Sequence, residues 1–176
     1  MDKSAPRVLR ALLVALLLLP SIGRADIVLD NVTAPPSFSA ASATFSHTIG
    51  GGADRLLTVC IAVEAPLGSS DVTGNVTYDG VAMTKAIDNI AGTSFDQNVE
   101  IWYMLEANLP VAGTYSVSIT TTAAVNINPG AISVTGALQQ AVEATAFNDD
   151  GQSGASTIQT SLTTLTDNAW IFDCVG

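Results

Sequence analysis

The sequence predicts an all-β domain, built as a two-sheet antiparallel β-sandwich of the jelly-roll or immunoglobulin-like kind and preceded by a signal peptide. Short runs in which apolar and polar residues alternate recur between clusters of Gly, Pro, Asn and Asp. Only 12% of the residues are charged, and no stretch of the mature chain carries a sustained helical stripe. Roughly ten strands are too many for a small barrel and suit two packed sheets.

Residues 1–25 have the pattern of a secretory signal peptide. Basic residues precede an apolar run over 11–19, and small residues follow it up to Ala25. We predict cleavage after Ala25, which leaves 26–176 as the domain. The apolar run is shorter than the about 20 residues that a membrane-spanning helix needs, so no membrane insertion is expected after cleavage. An uncleaved N-terminal anchor is the alternative.

The first three predicted strands follow directly. Residues 26–33 and 43–49 alternate apolar and polar side chains, which is typical of strands buried on one face. Residues 55–64 contain a nearly continuous apolar run, which predicts a central strand covered on both faces.

The middle of the chain predicts a hairpin and two alternating strands. Asp79 and Gly80, within 75–86, form a dipeptide that favours the left-handed conformations of a tight turn. Residues 97–106 and 113–122 alternate in polarity, and the second of these runs predicts burial of one face only.

Three more strands are predicted over 130–138, 156–164 and 169–176. The last of them keeps its strand pattern up to Gly176. We therefore expect the sandwich domain 26–176 to be truncated at its C-terminal end, and a strand that ends flush with the chain is the alternative.

The charge of the domain limits its partners. The full chain has six basic and 16 acidic residues, a net charge of −10. Cleavage after Ala25 removes four basic residues and one acidic residue, so Arg55 and Lys85 face 15 acids and the net charge becomes −13. Such a surface repels phosphate groups, which argues against nucleic acid and anionic lipid as partners. Polysaccharide or another surface protein remain as expected partners.

Several stretches carry a resemblance when taken in order. They are ADRLLTVCIAVE at 53–64, VTYDGVAMTKA at 76–86, VEIWYMLEANLPVAGTYSVSIT at 99–120 and GAISVTGA at 130–137. In this order they resemble an uncharacterised bacterial extracellular β-sandwich domain of secreted and surface proteins. The resemblance implies fold and location, and it carries no catalytic residue to this chain.

Trp102 is the main candidate for a ligand site. It alternates onto one face with Glu100, Met104 and Glu106. An exposed aromatic ring can stack on the apolar face of a sugar, so Trp102 with Glu100, and Tyr78 as a second ring, are candidate carbohydrate-binding residues. Met104 on the same face favours the alternative, in which a loop or a second sheet covers the ring.

The residues give no support to a catalytic site. His47 is the only histidine and lies among strand residues, so we interpret it as an ordinary strand side chain. Glu100 and Glu106 are six residues apart on one strand, near 20 Å, whereas glycosidase carboxylates lie roughly 5 to 10 Å apart. We predict that the protein is not an enzyme.

Calcium is the ion that the sequence suits best, and no other cofactor is expected. Asp149 and Asp150 lie in a loop and offer the hard oxygen ligands that calcium prefers. Residues 88–98 form a second acidic stretch. Neither stretch has the EF-hand pattern, and solvated acidic loops are the alternative.

The two cysteines lie in apolar predicted strands. An exported protein can form a disulfide between Cys60 and Cys174 if their strands are neighbours. Two buried free thiols are the alternative.

These observations predict a non-catalytic, structural or adhesive module of a secreted or cell-surface protein. The competing prediction is a carbohydrate-binding module that uses Trp102 as a stacking platform and is stabilised by calcium.

Overall fold

The computed structural model describes residues 26–66, 73–91, 95–148 and 157–176. Within these residues the chain is all-β and contains no α-helix. All strand pairs are antiparallel, and the sheet is nearly closed into a barrel. Among these residues, no helix is long and apolar enough to cross a membrane.

Eight strands and one short 3-10 helix make up the described elements. They are β1 (Val28–Thr33), β2 (Phe38–Ile49), β3 (Leu56–Pro66), β4 (Thr73–Tyr78), β5 (Val81–Ala82), β6 (Thr84–Ala91), β7 (Phe95–Leu105), the 3-10 turn Glu106–Asn108, and β8 (Gly113–Thr135). The main path of the sheet is β5-β4-β8-β3-β7-β6, and β1 and β2 both pair with β8.

The long strand β8 organises the sheet. Its first half pairs with β2 on one side and with β4 on the other. Its second half pairs with β3 on one side, and with β1 and the start of β2 on the other. Because β8 belongs to both halves of the sheet, the residues that face inward from each half share one core.

The sheet curves where β8 changes partners. Ala40 pairs with Val125, whereas Ser42 pairs with Thr120, so 121–124 in β8 oppose a single residue of β2. Extra residues on one strand bend it and increase its twist. The Thr121 hydroxyl donates to the Ala123 carbonyl across this bend, at 2.7 Å.

The core contains aliphatic and aromatic side chains from both halves of the sheet. Its fully buried members include Ile49 from β2, Leu57 from β3, Tyr78 from β4 and Ile119 from β8. Trp102 and Met104 of β7 belong to the same cluster. β7 therefore turns the Trp102 face inward.

Two local predictions are confirmed. Asp79 and Gly80 form the β4–β5 hairpin turn, with φ of 51° and 77°. β3 lies between β7 and β8 and is covered on both faces, since Leu57 and Val59 are buried on one face and Thr58 and Ala62 on the other.

The strands predicted toward the C-terminus are partly wrong. Residues 113–122 and 130–138 do not form two strands, because β8 runs from Gly113 to Thr135 without a break. β1 and β2 leave 128–130 without a partner on their side, so Pro129 costs no ladder bond there.

The last two predicted strands are not formed in the residues that the structure describes. Neither 157–164 nor 169–176 is in a strand, and both lie as irregular chain. Residues 1–25 lie outside the described part, so the predicted signal peptide stays a prediction.

Candidate functional site

The buried carboxylate of Glu100 is the centre of a polar cluster on the inner face of β7. Glu100 is 0% exposed. Its Oε1 accepts hydrogen bonds from Lys85 Nζ at 3.2 Å and from Asn98 Nδ2 at 3.0 Å. Its Oε2 accepts from Trp102 Nε1 at 2.6 Å. Buried charges require such partners, because desolvation of an unpaired carboxylate is costly.

The register of β6 brings Lys85 to this cluster. Lys85 pairs with Trp102 and Asp88 pairs with Glu100, with a bulge between Lys85 and Ile87. The extra residue places Lys85 and Asp88 on the same face, although they are three residues apart. Lys85 Nζ lies 5.2 Å from the centre of the Trp102 ring and donates to Asp88 Oδ2 at 2.6 Å.

The cluster shifts the pKa values of both charged partners. Burial raises the pKa of Glu100, against hydrogen bonds from Trp102 and Lys85 that lower it. Burial lowers the pKa of Lys85, but the hydrogen bond with Asp88 and the charge of Glu100 outweigh it, so that pKa is raised. Both groups therefore hold protons more readily than usual.

Asn98 is the second fully buried polar residue of the cluster, at 1% exposure. Its Nδ2 donates to Glu100, whereas its Oδ1 is buried and accepts no hydrogen bond within the described residues. A buried acceptor without a donor is uncommon in folded proteins.

His47 lies in a second polar chain inside the sheet. Ser133 Oγ donates to Asp30 Oδ2 at 2.7 Å. Because its proton is used there, Ser133 Oγ accepts from His47 Nε2 at 3.1 Å. His47 Nδ1 then accepts from Thr33 Oγ1 at 2.9 Å. The ring is 1% exposed, and burial lowers the pKa of His47 against the charge of Asp30. This arrangement holds a neutral imidazole with both nitrogens paired.

The predicted stacking residues do not expose their rings. Trp102 is 7% exposed and Tyr78 is 0% exposed, so the two lie in the core. Tyr78 donates its hydroxyl to the His47 carbonyl at 3.0 Å and makes an edge contact with Tyr115. Burial raises the pKa of Tyr78 to about 12, with the charges of Tyr115 and Asp79 adding to it. Of the three predicted carbohydrate-binding residues, Trp102, Glu100 and Tyr78, only Glu100 and Trp102 are in contact.

Cys60 and Cys174 are joined by a disulfide. Of the two states that the sequence left open, the structure therefore has the bonded one. The bond holds the irregular C-terminal segment against the outer face of β3. A cavity of about 140 Å³ lies beneath this segment, between apolar residues of the sheet, such as Ile101 and Ile132, and Phe172.

The remaining predicted groups lie apart from this cluster. Glu106 accepts hydrogen bonds from the backbone and the guanidinium of Arg55, which lower the pKa of Glu106. It therefore has partners different from those of Glu100. Asp149 and Asp150 lie outside the described residues. Among the residues that are described, no group of three or more His, Cys, Asp and Glu side chains is placed to hold a metal ion.

Sequence reasoning missed Lys85 and Asn98 as members of the cluster. A signal was present, since Lys85 is the only lysine after residue 25 and lies just after a predicted hairpin turn. It also missed Trp170, which is 44% exposed on the C-terminal segment. Comparison with family models, with curated proteins and with solved structures finds no match to this chain.

Proposed function

We propose that this chain is a non-catalytic, exported β-domain that serves as a structural or adhesive module of a secreted or cell-surface protein. The Cys60–Cys174 disulfide is the observation that carries the proposal. Disulfides persist in oxidising compartments and are rare where thiols are kept reduced. This agrees with the signal-peptide pattern of residues 1–25.

The buried polar groups support a structural role. The imidazole of His47 and the carboxylate of Glu100 are both enclosed and hydrogen-bonded within the sheet. Polar chains of this kind fix one arrangement of a core when their members are paired. The resemblance to bacterial extracellular sandwich domains points the same way.

The two-sheet arrangement is part of the proposal. The two halves of β8, on either side of 121–124, each have their own strand partners. A jelly-roll or immunoglobulin-like sandwich has a comparable division into two layers that share a core.

Export is tested by expressing the full chain in a bacterial host. We expect the exported protein to begin at Asp26 and to resist alkylation without reductant. Leu17→Arg, which places a charge in the apolar run, should keep residues 1–25, remain in the cytoplasm and react at both cysteines. A wild-type protein that stays inside the cell with its N-terminus uncut would reject export.

Carbohydrate binding is the second candidate, and the exposure of Trp170 favours it. An exposed ring on the C-terminal segment can stack on a sugar, whereas the buried Trp102 cannot. We expect cellulose or chitin to retain the wild type and to release Trp170→Ala. The matched control is Phe147→Ala, which removes an aromatic ring that is 61% exposed. Equal retention of all three proteins, or of none, counts against this candidate.

A further inference from the structure

An amine, a carboxamide and a carboxyl group meet on one oxygen atom between β6 and β7. Lys85 Nζ and Asn98 Nδ2 both donate to Glu100 Oε1, at 3.2 and 3.0 Å. Two groups that share an oxygen lie within a few ångströms of each other. Such positioning removes the entropy cost of bringing the two groups together, which is a large part of the activation barrier for the reaction of an amine with an amide.

The surroundings exclude water from the carboxyl group and the carboxamide, whereas the Lys85 side chain is 28% exposed. Glu100 and Asn98 are 0% and 1% exposed, and Trp102 covers the cluster with its ring and donates to the far oxygen of Glu100. Burial favours the protonated, neutral form of Glu100. Because the pKa of Lys85 is raised, its resting form is the ammonium. A proton passed from it to the Glu100 carboxylate leaves a transient neutral amine, which is the nucleophilic form of lysine.

We propose that Lys85 and Asn98 become joined by an intramolecular isopeptide bond, with Glu100 as the proton shuttle. The Lys85 Nζ lone pair attacks Asn98 Cγ and forms the new C–N bond. Glu100 moves the proton released from Nζ to Asn98 Nδ2, whose bond to Cγ breaks. The ammonium group and the carboxamide thus give a secondary amide and one ammonium ion, and Glu100 ends as the carboxylate.

Two further features fit this reaction. Glu100 Oε1 already contacts Asn98 Nδ2, the atom that must receive the proton, and Asn98 Oδ1 accepts no hydrogen bond within the described residues. The raised pKa of Glu100 agrees with this role. The bond would fasten β6, which ends the main path of the sheet, to its neighbour β7. The inference does not depend on the proposed function.

The intact wild-type chain provides the test. We expect its measured mass to fall below the mass calculated from its sequence, after allowance for the disulfide, by one molecule of ammonia. Trypsin gives a second readout, because Arg55 and Lys85 are the only basic residues after residue 25. After reduction, an acylated Lys85 resists cleavage, so residues 56–176 should remain one fragment.

Other outcomes overturn the proposal. A mass equal to the calculated one, with release of 86–176, leaves the three residues as an ordinary ion-pair cluster. Ammonia loss with normal cleavage at Lys85 indicates a cyclised asparagine instead. Loss of water with Lys85 blocked indicates an amide to a carboxylate such as Asp88.

Variants then assign the roles. Lys85→Arg keeps the positive charge beside Glu100 but has no amine, so it should have its calculated mass. Glu100→Gln removes the proton shuttle and should also have its calculated mass. Asn75→Ala, at an exposed asparagine of β4, is the matched control and should lose ammonia as the wild type does. Ammonia loss in Lys85→Arg would overturn the assignment even if the wild type loses it too.

Discussion

At the scale of single residues, the buried polar side chains decide how this core responds to pH. His47 and Glu100 are each enclosed, but their partners differ. His47 is paired with the neutral hydroxyls of Thr33 and Ser133, whereas Glu100 is paired with the charged Lys85. Burial favours the uncharged imidazole, against the charge of Asp30, while the ion pair makes the charge of Glu100 tolerable.

We predict that His47 makes the domain less stable in mild acid. Because burial lowers its pKa below 6.5, the unfolded chain binds a proton before the folded one does. The free energy of unfolding is therefore highest above the pKa that His47 has in the unfolded chain. It decreases as pH falls below that pKa, by at most about 1.4 kcal/mol per pH unit. Denaturant unfolding between about pH 5 and 8 measures this slope.

His47→Gln is the matched variant for this measurement. The raised pKa of Glu100 acts in the opposite direction, since a folded carboxyl that binds its proton more readily gains stability as pH falls. That contribution is present in both proteins. The difference between the two slopes isolates His47, and identical slopes would show that the imidazole is protonated equally in both states.

At the scale of elements, local signals predicted some strands and not others. The β4–β5 hairpin and the central strand β3 follow from a turn dipeptide and from an apolar run, which act within a few residues. The inward face of β7 does not follow from its pattern, because both of its faces carry large side chains. The core packing of Trp102 and Met104 fixes that face, and the bulge in β6 brings Lys85 beside Glu100 on it.

In the C-terminal segment, by contrast, the sequence pattern predicts a strand that the structure does not form. Its strand pattern over 169–176 is clear, but no described strand pairs with it. A strand needs a partner edge, which the pattern of one segment does not reveal. The segment is fixed instead by the Cys60–Cys174 bond, and the sequence permitted that bond without choosing it over free thiols.

We predict that this disulfide stabilises the domain substantially. Replacing both cysteines, as Cys60→Ser with Cys174→Ser, should lower the free energy of unfolding by about 2–5 kcal/mol, because the unfolded chain gains freedom. Denaturant unfolding in the presence and absence of reductant measures the effect.

Reductant should bring the wild type to the stability of the double variant and should leave the variant unchanged. It should also make 157–176 sensitive to proteases. A double variant as stable as the oxidised wild type would mean that contacts other than the bond hold the segment.

At the scale of the whole molecule, charge is distributed unevenly between interior and exterior. The two basic residues of 26–176 are both engaged with acids, Arg55 with Glu106 and Lys85 with Glu100. The 15 acidic residues of 26–176 outnumber these two basic residues, so the exterior is anionic. Self-repulsion of this kind opposes the compact state.

We predict that salt raises the stability of the domain. Raising NaCl from about 10 mM to about 1 M shortens the screening length from about 30 to about 3 Å, so the thermal midpoint should rise. Glu64→Lys, at an exposed position of β3, should raise the midpoint at low salt and have less effect at high salt. A midpoint that falls steadily with salt would indicate that ion pairs outweigh repulsion.

The Cys60–Cys174 bond has a mechanical consequence. When residues 26 and 176 are pulled apart, tension passes along the chain to Cys60, crosses to Cys174 and leaves at Gly176. The 114-residue separation between the two cysteines is bypassed, so 61–173 cannot be drawn out while the bond is intact, although β8 still bears load through its pairing with β1 and β2. Extension is then limited to the residues before Cys60 and the two after Cys174.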